Sequence, residues 1–284
     1  MQTRVSSPTR EVIIGDDQPT VLIGERLNPT GKKKLAEALQ NDDMEFIRKE
    51  ALSQVQAGAD ILDVNCGVPG VDEVALLPRM VQAVTEVTDV PLCIDSSKPE
   101  ALEAALDVYR GKPIVNSVNG GKSSLEKILP LVKKYGAAVI GLTMDEKGIP
   151  NNSDKRIAIA HRIVEWAETI GISRSDVIID CLSMPLGVDS KAGLVTIETI
   201  RQVKAELGVN LTVGASNISM GLPDRHIINS AFLAVIIASG ITCPIVDVAK
   251  VRPFILAVDL ALGRDDHAMR YIRAYRQYQK QQKS

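Results

Sequence analysis

The chain has 284 residues, close to the length at which a (β/α)8 barrel forms one domain. Hydrophobic residues make up 45% and charged residues 24%, which excludes a mainly disordered chain. A net charge of −2 with 3% aromatics argues against binding nucleic acid, and no apolar run of about 18 residues exists to span a membrane.

Short Val- and Ile-rich runs alternate with longer segments of helical period, the pattern of parallel βα units. The runs fall at 20–25, 60–65, 91–95, 113–116, 137–143, 176–181, 211–216 and 243–248. Helices are predicted over 44–57, 71–87, 99–108, 123–134, 154–170, 194–207, 224–239 and 253–262, many of them followed by Gly. Eight such units of roughly 32 residues fit a closed (β/α)8 TIM barrel, an α/β fold. No linker-like stretch divides the chain, so a single domain over 1–284 is expected. Two pieces lie outside the units. Residues 11–23 read as a hairpin around Gly15-Asp16-Asp17, closing the barrel bottom. The tail over 266–284, with Arg270, Arg273, Arg276, Lys280 and Lys283, reads as a basic helix whose solvated face leaves Tyr271, Tyr275 and Tyr278 to pack on the barrel.

No signal peptide opens the sequence. Cys66, Cys93, Cys181 and Cys243 form no C-x-x-C pair and sit in or beside apolar runs. They read as reduced core thiols of a cytoplasmic protein.

Barrel enzymes carry their sites at the C-terminal ends of the strands. Those ends hold Glu25, Arg26 and Asn28; Asp63 and Asn65; Asp95 and Ser96; Asn116 and Ser117; Thr143 and Met144; Asp180; Ser216 and Asn217; and Asp247. A ring of carboxylates and carboxamides converging on one mouth reads as a site, although Asp63 and Asp247 would serve equally as helix N-caps. Gly120-Gly121-Lys122-Ser123 reads as a plain turn before a helix rather than a phosphate cradle. His161 and His267 read as peripheral, and His226 lies on the mouth side. Such a ring suits either a divalent cation or a planar heterocycle edged with N–H donors. Residue chemistry alone does not choose between them.

The stretches IGERLNPTG (23–31), AGADILDVNCG (57–67), PLCIDSS (91–97), IVNSVNG (114–120), GAAVIGLTMDEKGIP (136–150), VIIDCLSMP (177–185) and GASNISMGLPDR (214–225) run in order along the chain. With them the sequence resembles the methyltetrahydrofolate:corrinoid protein methyltransferases and the folate domain of cobalamin-dependent methionine synthase. The related dihydropteroate synthases carry a basic Arg-x-His element near the last strand, where this chain reads DVAKVRP (247–253). The resemblance implies methyl transfer between N5 of tetrahydrofolate, bound as tetrahydrofolate or 5-methyltetrahydrofolate, and the cobalt of a corrinoid protein. It implies that Asp95, Asn116 and Asp180 hold the pterin edge and that Asn217 hydrogen-bonds N5. Catalysis then falls to Asn217 with Asp95 and Asn116. Asp63 and Asn65 belong to the same polar floor, Gly214, Ser216 and Met144 line the pocket, and Arg225 reaches the folate tail. Met220 stands where the family often has a polar residue. No resident metal is expected.

The chain carries no D-x-H-x-x-G, since Arg270 follows Asp265 and His267 where that motif needs Gly. The cobalamin is therefore expected on a separate partner protein, and the resemblance implies a homodimer. The alternatives are a dihydropteroate synthase-like pterin enzyme and a non-catalytic folate-binding barrel.

Overall fold

In the computed structural model the described residues are 1–283, without the side chains at positions 278 and 281–283. An antiparallel hairpin opens the chain, β1 (Gln2–Ser6) with β2 (Glu11–Gly15). Then come β3 (Ile23–Leu27), β4 (Ile61–Asn65), β5 (Leu92–Asp95), β6 (Ile114–Asn119), β7 (Ala138–Leu142), β8 (Val177–Asp180), β9 (Asn210–Thr212) and β10 (Ile245–Val246). These eight are parallel, in the order β10-β3-β4-β5-β6-β7-β8-β9. A parallel bridge between Gly214 and Ile245, with the Ile245 N–H donating to the Val213 carbonyl at 3.0 Å, brings the sheet round on itself. The fold is a (β/α)8 TIM barrel.

Ten helices are described: α1 (Lys33–Gln40), α2 (Met44–Ala57), α3 (Glu73–Thr85), α4 (Pro99–Val108), α5 (Lys122–Tyr135), α6 (Ser153–Thr169), α7 (Ala192–Leu207), α8 (Arg225–Ser239), α9 (Val248–Ala261) and α10 (Met269–Lys283). Their starts follow local chemistry. Asp43 caps α2 by accepting the Phe46 N–H, Asp72 caps α3, and Asn152 caps α6 through the Lys155 N–H. Gly58 ends α2 at φ 100°, and a Cβ there would meet Arg252 Nε at 2.2 Å, so both conformation and space demand glycine.

The structure corrects three expectations. The hairpin is not residues 11–23: β2 pairs backwards with β1, while Ile23 already belongs to the barrel. The reason is register, because Val5, Val12 and Ile14 present one apolar face that closes the barrel floor against Ile23, Ile61 and Cys93. The last helix of the barrel starts at Val248 rather than Pro253, and Pro253 lies inside it. That earlier start shortens the last strand to two residues. Finally, Tyr271 and Tyr275 do not pack on the barrel, being 39% and 55% exposed. Polar contacts hold α10 instead: Arg270 Nη1 donates to the fully buried Asp259 at 3.0 Å, and the Asp265 carboxylate accepts the Arg270 and Tyr271 N–H groups. The side chains of Tyr278 and Lys283 lie outside the described residues.

All four cysteines are buried and unpaired. Burial pushes the Cys66 and Cys243 thiols up to about 12, so they are protonated core groups.

Candidate functional site

Strand register assembles the mouth. Asn65, Asp95 and Asn116 lie side by side across β4, β5 and β6. Asp180 pairs across β8 with Leu142 on one side and Thr212 on the other. Residues separated by tens of positions thus share one layer, because parallel strands of matched length end together.

The acid–amide group is hydrogen-bonded within itself. Asn116 Nδ2 donates to Asp63 Oδ1 at 3.0 Å. Asn28 Nδ2 donates to Asp95 Oδ2 at 3.0 Å and lies 3.4 Å from Asp63 Oδ2. Burial raises both acids above the usual carboxylate range, and the charge of Asp63 raises Asp95 further. Asp63 is no helix cap: it is 1% exposed inside β4. Asn65 Oδ1 accepts the Gly67 N–H at 2.7 Å and so shapes the loop behind Asp95. Asp180 is buried, with Oδ1 accepting the Leu182 N–H at 2.7 Å. Burial lifts its acid to about 7. Asp95 stands where two cavities meet, one of about 520 Å³ lined by Ser117, Asn119 and Met144, the other of about 490 Å³ lined by Asn65 and Glu73. These volumes suit a small organic ligand.

On the far side of the mouth, residues 214–220 form a tight turn. The Asn217 N–H donates to the Gly214 carbonyl at 3.2 Å, and its side chain is exposed. A Cβ at Gly214 would come within 3.0 Å of Asn217 Nδ2, so glycine makes room for that amide. Ser216 Oγ donates to the Glu25 carboxylate, 3.1 Å from each oxygen. Burial raises the Glu25 acid. Arg225 donates to the Ser216 carbonyl at 2.8 Å and to Ser219 Oγ at 3.0 Å, so it braces the turn. Ser183 Oγ closes the turn from the β8 side through the Gly214 carbonyl at 2.8 Å.

Other candidates resolve into structural roles. Asp247 stands at the start of α9 without capping it; its carboxylate meets Arg26 at 3.5 Å and Lys250 at 2.8 Å. The Gly120-Gly121 segment is a turn, and the Lys122 N–H at the start of α5 is taken by Glu146 Oε1 at 2.8 Å, which leaves an anion no welcome. His161 pairs with Glu206 on the outer surface, and His226 is exposed in the first turn of α8. Among the described residues no group of three His, Cys, Asp or Glu side chains is arranged to hold a metal ion. Glu25 and Asn28 stand at a strand end in the sequence, but nothing local there announces their hydrogen-bond partners Ser216 and Asp95.

Residues 24–247 match the model of the pterin binding enzymes. The chain belongs to the pterin-binding enzyme family. It is 33% identical over 267 residues to the methylcorrinoid:tetrahydrofolate methyltransferase of Eubacterium limosum, covering 90% of this chain and 96% of that protein. It is also 33% identical over 250 residues to the methionine synthase of Mycobacterium leprae, covering 83% of this chain but only 21% of that longer protein. In fold, this pterin-binding enzyme is similar to dihydropteroate synthases. That of Yersinia pestis superposes with a TM-score of 0.70 at 16% identity, covering 93% of this chain and 100% of the other. That of Xanthomonas albilineans, solved with 7,8-dihydropteroate, gives 0.66 at 19%, covering 91% and 98%.

Proposed function

We propose that this pterin-binding enzyme transfers a methyl group between N5 of tetrahydrofolate and the cobalt of a corrinoid carried by a separate protein. The observation that carries the reading is the pairing of a buried acid–amide layer with an exposed amide across one barrel mouth. In this reading Asp95, Asn116 and Asp180 take the donor and acceptor edge of the pterin, since a carboxylate accepts two parallel N–H bonds. Asp63 and Asn65 hold that layer in place. Gly214, Ser216 and Met144 line the pocket, and Arg225 reaches the folate tail from the turn it braces. The 33% identity to the methylcorrinoid:tetrahydrofolate methyltransferase along nearly its whole length supports this.

A tertiary amine leaves poorly, so N5 must take up a proton from solvent before or as its bond to the methyl breaks, and the bonding electron pair then stays on nitrogen. The amide oxygen of Asn217 accepts the N5–H there, favouring the protonated N5 more in the transition state than in the ground state. The corrinoid, when its carrier docks, supplies the metal that accepts or returns the methyl. The mouth is open to such a carrier: Val188 on the loop after β8, Leu194 in the first turn of α7 and Met220 at the end of the Asn217 turn stand exposed. The pocket serves the transfer in both directions by microscopic reversibility. Buried reduced thiols support a cytoplasmic setting, and Phe254, Tyr271 and Tyr275, exposed on the outer helices, support a homodimer.

The test mixes the enzyme with 5-methyltetrahydrofolate and a reduced corrinoid and follows the cobalt absorption. Methyl transfer is expected in the wild type, with turnover down by roughly 10²-fold in Asn217→Ala. Formation of a pteroate from p-aminobenzoate would establish a dihydropteroate synthase instead. Folate binding with a silent cobalt spectrum would establish a non-catalytic barrel.

A further inference from the structure

Arg156 on α6 is 1% exposed, the largest side chain so deeply buried among the described residues. A buried guanidinium is costly unless its donors are all met, and it normally meets a carboxylate. Here it makes none of the described ion pairs and spends its donors on backbone. Nε donates to the Pro150 carbonyl at 2.8 Å, and Nη1 donates to the Cys181 and Leu182 carbonyls at 2.9 and 2.7 Å. Thr196 Oγ1 adds a second donor to Leu182 at 3.0 Å. Leu182 itself holds φ 50°, a left-handed conformation that a leucine adopts only when its surroundings impose it. The same residue's N–H is the one that fixes Asp180 Oδ1. The guanidinium therefore bends the chain just beyond β8 into the shape that orients Asp180.

We infer that Arg156 is a positioning residue for pterin binding: it pins the Cys181 and Leu182 carbonyls from behind and so holds the Leu182 N–H on the Asp180 carboxylate that meets the ligand. The inference rests on the proposed role of Asp180. The titratable neighbours agree. Arg156 is the charged group acting on Asp180, while Cys181 and Cys243 beside it are thiols that burial keeps protonated. A loop-bracing arginine with no bearing on the ligand would leave the Asp180 titration alone, which separates the two roles.

Carbon-13 NMR of aspartate-labelled enzyme, with Asp180→Asn identifying the resonance, reads this titration directly, and calorimetry with 5-methyltetrahydrofolate reads affinity. In Arg156→Met the Asp180 titration is expected to move up by about one pH unit and affinity at neutral pH to fall about tenfold. An unmoved titration overturns the inference. Should the Met variant fail to fold, Arg156→Lys decides in its place: a several-fold loss of affinity supports the inference, and wild-type affinity overturns it. Asp180→Asn reports separately on the site, for wild-type folate affinity there removes Asp180 from the pterin edge and the inference falls with it.

Discussion

Asp180 is a buried acid with one oxygen committed to the Leu182 N–H, and burial holds it protonated up to about pH 7. In the unfolded chain the same acid titrates near 4. Between those values the folded protein carries the extra proton, so this residue's contribution to stability falls as pH rises through that window. Asp180→Asn removes the effect. The ligand-free variant is therefore expected to be more stable than the wild type at pH 8 by a few kcal/mol, with the gap closing near pH 4. Chemical denaturation at the two pH values measures it, and an unchanging gap would count against the burial argument. A site residue that lowers stability fits a group kept for a ligand. The strand-end position of Asp180 was legible in the sequence; its protonation was not, because that depends on how many layers of barrel cover it.

The turn over 214–220 is the element on which the proposed chemistry depends most. Its motif was visible as GASNIS, and the placement of Asn217 at the mouth followed from strand alternation alone. The bracing was not visible. Glu25 lies 191 positions from Ser216, and nothing local links them. Arg225 donates to the Ser216 carbonyl, a brace that the motif did not announce. The small size of Gly214 now has a cause, since its backbone φ of −71° is open to any residue and it is the nearby Asn217 amide that a Cβ would crowd. Gly214→Ala is expected to push that amide aside by a few tenths of an ångström. Turnover should fall by roughly tenfold while the folding midpoint barely moves. Steady-state kinetics beside a thermal melt separates the two effects, and unchanged turnover would show that Asn217 tolerates the shift.

At the scale of the whole molecule, one buried acid joins the segment before the first barrel strand to the last helices. Asp259 on α9, fully buried, accepts the Thr20 hydroxyl at 2.6 Å and the Thr20 N–H at 3.0 Å, and it meets Arg270 at 3.0 Å and Arg264 at 3.7 Å. Removing a buried partner leaves its cations unpaired. Asp259→Ala is expected to cost roughly 3–5 kcal/mol, read from the shift in urea midpoint, while folate affinity of the folded fraction is retained. The barrel floor is tied in the same way by Asn210, whose Nδ2 donates to Thr3 Oγ1 and the Ile14 carbonyl across the first hairpin. The sequence by itself determined the eight-unit barrel, because strand and helix periods are local and repeat. It also determined which residues end the strands, and through its motifs the family. Only the tertiary structure decided the hairpin's partner, the anchoring of α10, and the supports of the site, Glu25 behind Ser216 and Arg156 behind Asp180. Those contacts join residues far apart in the chain, and a single polar residue carries no period that would announce its partner.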